Sequence, residues 1–268
     1  MSELTPAERE AILCVALQAA RDAGALLMEK LGALSAGEIS SKSERRDLVT
    51  SADLASERLL VRRLREHFPR HAIEAEEETR DAPRAGGLRW FLDPLDGTIN
   101  FVHRLPAFAV SMGLYRDRTG ELAVVHAPRL NETFWAVRGG GAFLDGEPLH
   151  VSRTTELAES VLATGFPYRR SELEHDNLAN FARFFHDVRG LRRMGSAALD
   201  LAYTAAGRFD GFWELHLSPH DVAAGALLVR EAGGVVTDAD GGDHWLRSGH
   251  IVAGPRALHA LIRARLAH

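Results

Sequence analysis

The stretch WFLDPLDGTINFVH, residues 90–103, is the most informative part of the chain. It places Asp93 and Asp96 three residues apart in a tight turn that contains Pro94 and Gly97, directly after a short apolar strand. Two carboxylates that a turn forces together repel each other, and Mg²⁺, which prefers oxygen ligands, removes this repulsion. The stretch therefore predicts a metal-binding turn. The alternative is a turn in which both aspartates only make local hydrogen bonds to the backbone.

The residues that follow the two aspartates favour the metal-binding interpretation. Gly97 and Thr98 come directly after Asp96, so free backbone N–H groups lie beside the carboxylates. Amide groups next to a pair of metal ligands suit a phosphate group, which binds both cations and N–H donors. The turn thus indicates a site for a phosphorylated molecule.

Length and composition are those of an ordinary globular protein with a buried core. The chain has 268 residues, of which 46% are apolar and 26% charged, and its net charge of -5 argues against a general polyanion-binding surface. The histidines form no HExxH motif, so zinc is not indicated. The single Cys14 cannot form an intrachain disulfide, and no long uninterrupted apolar run occurs. We therefore expect a cytoplasmic protein without a membrane-spanning segment.

The first half of the sequence predicts two helices followed by antiparallel strands. Thr5 and Pro6 form a good start for the first helix, and a second helix begins near Thr50 and ends before Pro69. Residues 32–46 are polar and predict a loop or an irregular hairpin. Four short segments rich in β-branched and aromatic residues then predict neighbouring strands: LRWFLD, AFAVSMGLY, ELAVVHAP and ETFWAVRG.

The second half alternates between strands and helices. Strands are predicted at VLATGFP, VVTD and HIVAG, and helices at 177–187, 196–207 and 221–231. Between the halves, RGGGAFLDGEPL favours a hairpin over a phosphate loop, because no Lys-Ser/Thr pair follows its glycines. We expect an α+β half, residues 1–151, and an α/β half, residues 152–268, packed tightly as one unit.

Three further acidic positions are candidates for the same site. EAEEE, residues 74–78, follows a predicted strand, although a solvated acidic run is the simpler interpretation. Asp221 opens a predicted helix, and Asp53 lies three residues after Thr50 in the first turn of another. Each of these two acids could act only as a helix-capping residue. A phosphate-ester hydrolase with two metals needs several converging acids, which makes the combination more informative than its members.

The order of these segments resembles the inositol monophosphatase family of Mg²⁺-dependent phosphatases, most closely its bacterial SuhB-type branch. The resemblance covers nearly the whole chain, and DPLDGTINF is its most specific signature, with DLVTSAD, AEEE and GRFDGFWELHLSPHDVAAGALLVREAGG in support. It implies the layered αβαβα sugar-phosphatase fold, with α+β and α/β parts, and hydrolysis of a phosphate monoester. It also implies inhibition by Li⁺ and a homodimer.

The resemblance assigns the metal ligands position by position and implies two or three Mg²⁺ ions per site. Glu76, Asp93 and the backbone carbonyl of Leu95 would bind the first ion. Asp93, Asp96 and Asp221 would bind the second, and Glu76 would help to hold a third, weaker ion.

Other positions match the family's catalytic and phosphate-binding residues. Thr98 and Asp53 correspond to the pair that orients and deprotonates the attacking water, a division of labour that a metal site makes reasonable. Gly97 and Thr98 correspond to the phosphate-binding amides. Lys42 corresponds to a lysine near the phosphate, or is a plain surface lysine.

The resemblance also places a substrate pocket, which implies a small phosphorylated polyol or amino alcohol. Glu214 matches a carboxylate that hydrogen-bonds a substrate hydroxyl, while Gly195, Ser196, Ala197 and Asp221 belong to the same pocket. The first candidate is inositol 1-phosphate. Histidinol phosphate is the main alternative, followed by fructose 1,6-bisphosphate and 3′-phosphoadenosine 5′-phosphate, because one metal core serves all of them.

One position departs from the family pattern. The residue before Asp221 is usually Trp, and here it is His220. The substitution is either a tolerated change in packing or a means for a histidine to act near neutral pH, where imidazole ordinarily changes charge.

A function of another class is a role as a partner in RNA transcription or processing, which the SuhB-type branch suggests. The stretch RFFHDVRGLRRM carries the arginines that would serve it: Arg183, Arg189, Arg192 and Arg193. The alternative is a solvated helix and loop that also contributes to a dimer interface. Contact with nucleic acid is expected only through such a role.

Overall fold

The computed structural model describes residues 3–41 and 47–266. In this part of the chain, helices and sheets alternate in five layers. The α-helices are α1 (Pro6–Lys30), α2 (Ser51–His67), α3 (Thr98–Val102), α4 (Leu178–Phe184), α5 (Ala197–Ala205), α6 (Pro219–Glu231), α7 (Trp245–Ser248) and α8 (Arg256–Arg265).

The strands within the described residues form three sheets. A short hairpin contains β1 (Ile39–Ser41) and β2 (Leu48–Thr50). The larger sheet contains β3 (Ala72–Ala75), β4 (Leu88–Asp96), β5 (Ala109–Arg116), β6 (Thr119–Ala127), β7 (Glu132–Val137), β8 (Gly141–Leu144) and β9 (Glu147–Pro148). The smaller main sheet contains β10 (Val161–Thr164), β11 (Gly190–Arg192), β12 (Gly211–Glu214), β13 (Val235–Thr237) and β14 (Ile251–Gly254).

The outer layer on one side consists of α1 and α2. A capping box starts α1: the Thr5 hydroxyl accepts the N–H of Glu8 at 3.2 Å, and Glu8 accepts the N–H of Thr5 at 2.7 Å. By length and composition, α1 could also cross a membrane. The core helix of a globular protein can meet the same two criteria. Its buried face, which includes Ala16, Ala23 and Leu27, packs on α2 and the larger sheet.

The larger sheet runs in the order β3-β4-β5-β6-β7-β8-β9. The four predicted strand segments form β4 to β7 and pair antiparallel, which confirms the prediction, whereas β3 pairs parallel to β4. The glycine-rich segment forms the predicted hairpin of β8 and β9. Its Gly139 and Gly141 donate N–H groups to the carboxylate of Glu231 at 3.0 Å, so that loop is fixed to α6.

The middle layer, α5 and α6, lies between the two main sheets. Gly113 on β5 allows α6 to approach closely, because a Cβ there would lie 2.8 Å from the Cβ of Ala223. The smaller sheet runs in the order β11-β10-β12-β14-β13, and α4 and α8 cover its far face. α6 packs against both sheets, and this position brings its first turn to the end of β4.

Three predicted helix boundaries differ from the structure by two or more residues. α5 ends at Ala205 instead of residue 207. α4 ends at Phe184 instead of residue 187, because the chain soon enters β11 and pairs with β10. α6 begins at Pro219, two residues before Asp221. Proline suits this first helical position because its missing N–H is not needed there.

Candidate active site

The turn at the end of β4 brings two carboxylates to one side of the sheet. The register of β4 against β5 shifts between Asp93 and Asp96, so the strand bends at this point. Oδ1 of Asp93 accepts the N–H of Leu95 at 3.0 Å, and both aspartates are buried. Gly97 follows with φ of 98°, a left-handed conformation that favours glycine. A Cβ at Gly97 would also lie 2.9 Å from the carbonyl oxygen of Ala107.

The first turn of α6 brings a third acid to these two. Asp221 caps its own helix, since its Oδ2 accepts the N–H of Ser218 at 2.6 Å. Ligand oxygens of Asp93, Asp96 and Asp221 all lie within 4.8 Å of one another. Three converging carboxylates of this kind could hold a hard divalent cation.

Glu76 reaches the same pocket from the neighbouring strand. Its N–H donates to the carbonyl oxygen of Leu92 on β4 at 3.1 Å, which continues the parallel pairing of β3 beyond Ala75. Glu76 lines the pocket, whereas Glu74 and Glu78 in the same acidic run pair with arginines. The run is therefore more than a solvated acidic segment.

The electrostatics of the three aspartates fit a bound cation. Burial, followed by repulsion from Glu76 and Asp96, raises the pKa of Asp93 well above its usual range. Burial, followed by repulsion from Asp221, raises the pKa of Asp96 to about 7. Within the described part of the chain, no lysine or arginine forms an ion pair with Asp93, Asp96 or Asp221. A bound cation would therefore supply the positive charge that these three carboxylates need, and their oxygens suit a divalent metal ion.

The two carboxylate oxygens of Asp53 accept hydrogen bonds from different parts of the chain. Its Oδ2 accepts the N–H of Thr50 at 2.8 Å and the Thr50 hydroxyl at 2.6 Å, which completes a capping box on α2. Its Oδ1 accepts the hydroxyl of Thr98 at 2.9 Å. That hydroxyl oxygen also lies 3.2 Å from the carbonyl oxygen of Leu95. Burial raises the pKa of Asp53 to about 6, against the lowering effect of its hydrogen bonds.

A pocket of about 260 Å³ adjoins the acids and contains the predicted substrate-binding residues Gly195, Ser196, Ala197, Glu214 and Asp221. The N-terminus of α5 ties this pocket to the metal-binding turn. Oδ2 of Asp96 accepts the hydroxyl of Ser196 and the N–H of Ala198, both at 2.7 Å. Burial raises the pKa of Glu214 to about 8.

Lys42 lies outside the described residues. His220 lines the pocket, with its Nε2 3.7 Å from Oδ1 of Asp221. The histidine that replaces the family's tryptophan therefore reaches the site.

Sequence reasoning missed two residues of α2 that support the site. The Ser56 hydroxyl donates to the carbonyl oxygen of Pro94 at 2.8 Å. Buried Glu57 accepts three backbone N–H groups of the loop that follows Glu76, at 2.8 to 2.9 Å. The sequence does contain a clue to both residues: they follow Asp53 by three and four positions, which places all three side chains on one face of the helix. One face of α2 therefore contacts both acidic segments.

Comparison with known proteins agrees with this geometry. Residues 8–268 match the inositol monophosphatase family. The chain belongs to the inositol monophosphatase family. This membership confirms the resemblance in the sequence, and the layers of helices and sheets confirm the αβαβα sugar-phosphatase fold.

Individual relatives are similar over almost their whole length. The chain is 44% identical over 252 residues to the Nus factor SuhB of Escherichia coli, a match that covers 94% of each chain. The solved structure of the extragenic suppressor protein SuhB from Bartonella henselae is 38% identical, with a TM-score of 0.89 over 95% of this chain and 98% of that one. An inositol monophosphatase from Anabaena (Nostoc) is 40% identical, with a TM-score of 0.87 over 96% and 95%.

Proposed function

We propose that the protein hydrolyses a small phosphate monoester with the help of Mg²⁺, and that inositol 1-phosphate is its preferred substrate. The observation that carries this proposal is the convergence of Asp93, Asp96 and Asp221 within 4.8 Å, without a lysine or arginine partner in the described residues. The Anabaena structure named an inositol monophosphatase supports the choice of substrate.

The acids would hold the ions as the family pattern assigns them. Glu76, Asp93 and the Leu95 carbonyl would bind one ion, and Asp93, Asp96 and Asp221 a second. Glu76 would help to hold a third, weaker ion. Bound Mg²⁺ would neutralise the acids and the phosphate charge and would activate the attacking water.

Asp53 and Thr98 would position that water and accept its proton. The hydrogen bond between Thr98 and Asp53 fixes the direction of both groups. A carboxylate whose pKa is about 6 is a suitable proton acceptor near neutral pH. The N–H groups of Gly97 and Thr98, with Lys42, would bind the phosphate.

The alcohol part of the substrate would occupy the pocket beside Glu214. Gly195, Ser196, Ala197 and Asp221 line this pocket and would contact the substrate. Histidinol phosphate is the second choice of substrate, with fructose 1,6-bisphosphate after it, because the pocket contains acids that suit hydroxyl and ammonium donors alike.

A phosphate-release assay with these substrates tests the proposal. We expect activity with Mg²⁺, loss of activity with a chelator, inhibition by Li⁺, and the highest kcat/KM for inositol 1-phosphate. Asp93→Asn should reduce kcat/KM by more than about a hundredfold, since disturbing even an outer partner of a metal has effects approaching this size. The matched control is Asp22→Asn, which makes the same change at a partly exposed residue of α1 that pairs with Arg63. Full activity of Asp93→Asn would refute the metal-based mechanism.

We also propose a second function, as a binding partner in transcription, because the Escherichia coli relative is named a Nus factor. The supporting surface is the exposed set Arg183, Arg189, Arg192 and Arg193, none of which pairs with a carboxylate among the described residues. If Asp93→Asn abolishes phosphate release but preserves the cellular role, the two functions are separate. Loss of both would tie the cellular role to catalysis. A homodimer and a cytoplasmic location complete the proposal.

A further inference from the structure

A buried acid in the substrate pocket has no role in the function proposed above. Asp200 lies on α5, four residues after Ser196, and is 1% exposed. It lines the same pocket as Glu214, which is 7% exposed and comes from β12. The pocket therefore contains two buried carboxyl groups, from a helix and from a strand, apart from the acids assigned to the metal ions.

Neither carboxyl group has a partner in the described part of the chain. Among residues 3–41 and 47–266, no side chain or backbone group forms a hydrogen bond or ion pair with the carboxyl oxygens of Asp200 or Glu214. Oδ1 of Asp200 is buried and has no hydrogen-bond partner within these residues. Buried polar groups in native proteins nearly always have partners, and an unpaired one is costly. A ligand that brings donors to this pocket would remove that cost.

The positive charge of Arg193 acts on both carboxyl groups but does not supply those donors. Arg193 lines the pocket and lowers the pKa of both Asp200 and Glu214, but it forms an ion pair with neither. Burial, followed by repulsion from Glu214, still raises the pKa of Asp200 well above its usual range. The two carboxyl groups are therefore left without hydrogen-bond donors from the described residues.

The backbone opposite Glu214 is shaped to leave room for its carboxylate. Gly165 follows β10, and a Cβ at this position would overlap the carboxylate of Glu214. The absence of a side chain at Gly165 therefore lets the Glu214 carboxylate occupy its place in the pocket.

We propose that Asp200 is a specificity-determining residue that accepts a hydrogen bond from the alcohol part of the substrate, as a second acceptor beside Glu214. The site would then prefer phosphate esters whose alcohol carries at least two O–H or N–H donors in addition to the ester oxygen. A carboxyl group accepts a hydrogen bond through its carbonyl oxygen in either protonation state, so the role does not depend on ionisation. The inference rests on the proposed phosphatase function.

Substrate discrimination by Asp200→Leu tests this role. The variant keeps the approximate size and shape of the side chain but removes both oxygens, so no acceptor at this position faces the donor of the substrate. We expect kcat/KM to fall at least about tenfold more for myo-inositol 1-phosphate or histidinol phosphate than for 4-nitrophenyl phosphate, whose alcohol has no donor. A larger loss with the inositol ester assigns the donor to a hydroxyl, and a larger loss with the histidinol ester assigns it to the amine.

Other outcomes would overturn the inference. An equal loss with all three esters, accompanied by a lower melting temperature, would show a structural role, and no loss would show none. We expect the metal-free variant to melt at or above the temperature of the wild type at pH 8, because it loses an unpartnered acid. If the wild type released no phosphate from any ester with Mg²⁺, the proposed function would fail first.

A measurement on the wild type makes the test independent of the variant's folding. Free myo-inositol and cyclohexanol are compared as competitive inhibitors of 4-nitrophenyl phosphate hydrolysis. We expect myo-inositol to inhibit at least about tenfold more strongly, because only its additional hydroxyls reach both carboxyl groups. Equal inhibition by the two alcohols would refute the donor preference.

Discussion

The hydroxyl oxygen of Thr98 lies 2.9 Å from Oδ1 of Asp53, while Oδ2 of the same carboxylate is held by Thr50. Thr98 begins α3 and Asp53 lies in the first turn of α2. Both side chains are buried, so water competes little for this hydrogen bond. The two helix starts therefore fix the direction of the pair proposed to act on water.

Loss of the Thr98 hydroxyl should impair catalysis more than folding. We expect Thr98→Ala to lower kcat by about a hundredfold or more, the usual size of a proton-transfer contribution, with little change in Mg²⁺ affinity. Thr98→Ser keeps the hydroxyl and should restore most of the rate. Steady-state kinetics and a Mg²⁺ titration measure the two effects. Equal rates for the alanine and serine variants would contradict the assignment.

The metal-free protein should lose stability as the pH rises from 6.5 to 8.5. The pKa is raised to about 7 for Asp96 and about 8 for Glu214, above the value near 4 of unfolded carboxyls. The folded state therefore holds more protons in this range, so the free energy of unfolding falls as they dissociate. Half-buried His71 and buried His259, with pKa values lowered to about 4, oppose this trend chiefly below about pH 7, because an unfolded histidine has a pKa of about 6.5.

Thermal unfolding with a chelator and with Mg²⁺ measures this effect. Added Mg²⁺ takes the place of the lost protons. The rise in melting temperature that Mg²⁺ causes should therefore be larger at pH 8 than at pH 6.5. A chelated protein whose melting temperature rises between these pH values would be inconsistent with the buried acids described here.

Glu57→Gln should weaken Mg²⁺ binding although Glu57 contacts no ion. Its carboxylate accepts the N–H groups of Glu77, Glu78 and Thr79 and so fixes the segment that presents Glu76. Changes to residues that orient metal ligands typically reduce affinity ten- to a hundredfold. We expect a shift of this size in the Mg²⁺ dissociation constant, measured by calorimetry.

The same loop provides the control for Glu57→Gln. Glu78 forms an exposed ion pair with Arg58 at 2.9 Å, and such pairs contribute little. Glu78→Gln should leave Mg²⁺ affinity within about twofold of the wild type. Equal shifts in both variants would mean that Glu57 has no specific positioning role.

Gly165→Ala should displace the Glu214 carboxylate at small cost to the fold. The added Cβ would overlap that carboxylate, which is the movable end of a side chain. We expect KM for inositol 1-phosphate to rise about tenfold, the size expected when a polar substrate contact is lost, with Mg²⁺ affinity unchanged. Gly37→Ala adds its methyl group to open space and is the matched control. An unchanged KM would remove Glu214 from the substrate site.

His220→Trp should weaken Mg²⁺ binding. Nε2 of His220 lies 3.7 Å from Oδ1 of Asp221, so the ring is a neighbour of a proposed metal ligand. Changes to residues that orient metal ligands typically reduce affinity by about ten- to a hundredfold, and we expect a shift of this size in the Mg²⁺ dissociation constant, measured by calorimetry. An unchanged dissociation constant would show that His220 only packs against its neighbours.

Local sequence was sufficient to predict the parts of the site that depend on neighbouring residues. The carboxylate turn at Asp93 and Asp96 and the places of Asp53 and Asp221 in the first turns of their helices are short-range features, and the structure contains each of them. For Asp53, the capping interpretation is correct, and its other oxygen accepts the hydroxyl of Thr98, while its role in the reaction stays a prediction.

The missed residues depend on distant parts of the chain. The partner of Ser56 is the backbone carbonyl of Pro94, 38 residues away, and no sequence pattern marks a particular backbone atom. Asp200 lies in a helix with ordinary apolar spacing, and its importance depends on Glu214 arriving from β12. Tertiary packing, which sequence periodicity does not specify, brings these groups together.

Asp221 lies in the first turn of α6, which then runs between both main sheets. If a cation is held at this first turn, its departure restores the repulsion among acids at the centre of the molecule, where the sheets meet. Proteases act on transiently opened forms, which become more frequent as stability declines. Magnesium starvation would then shorten the lifetime of the protein in the cell as well as stop its chemistry.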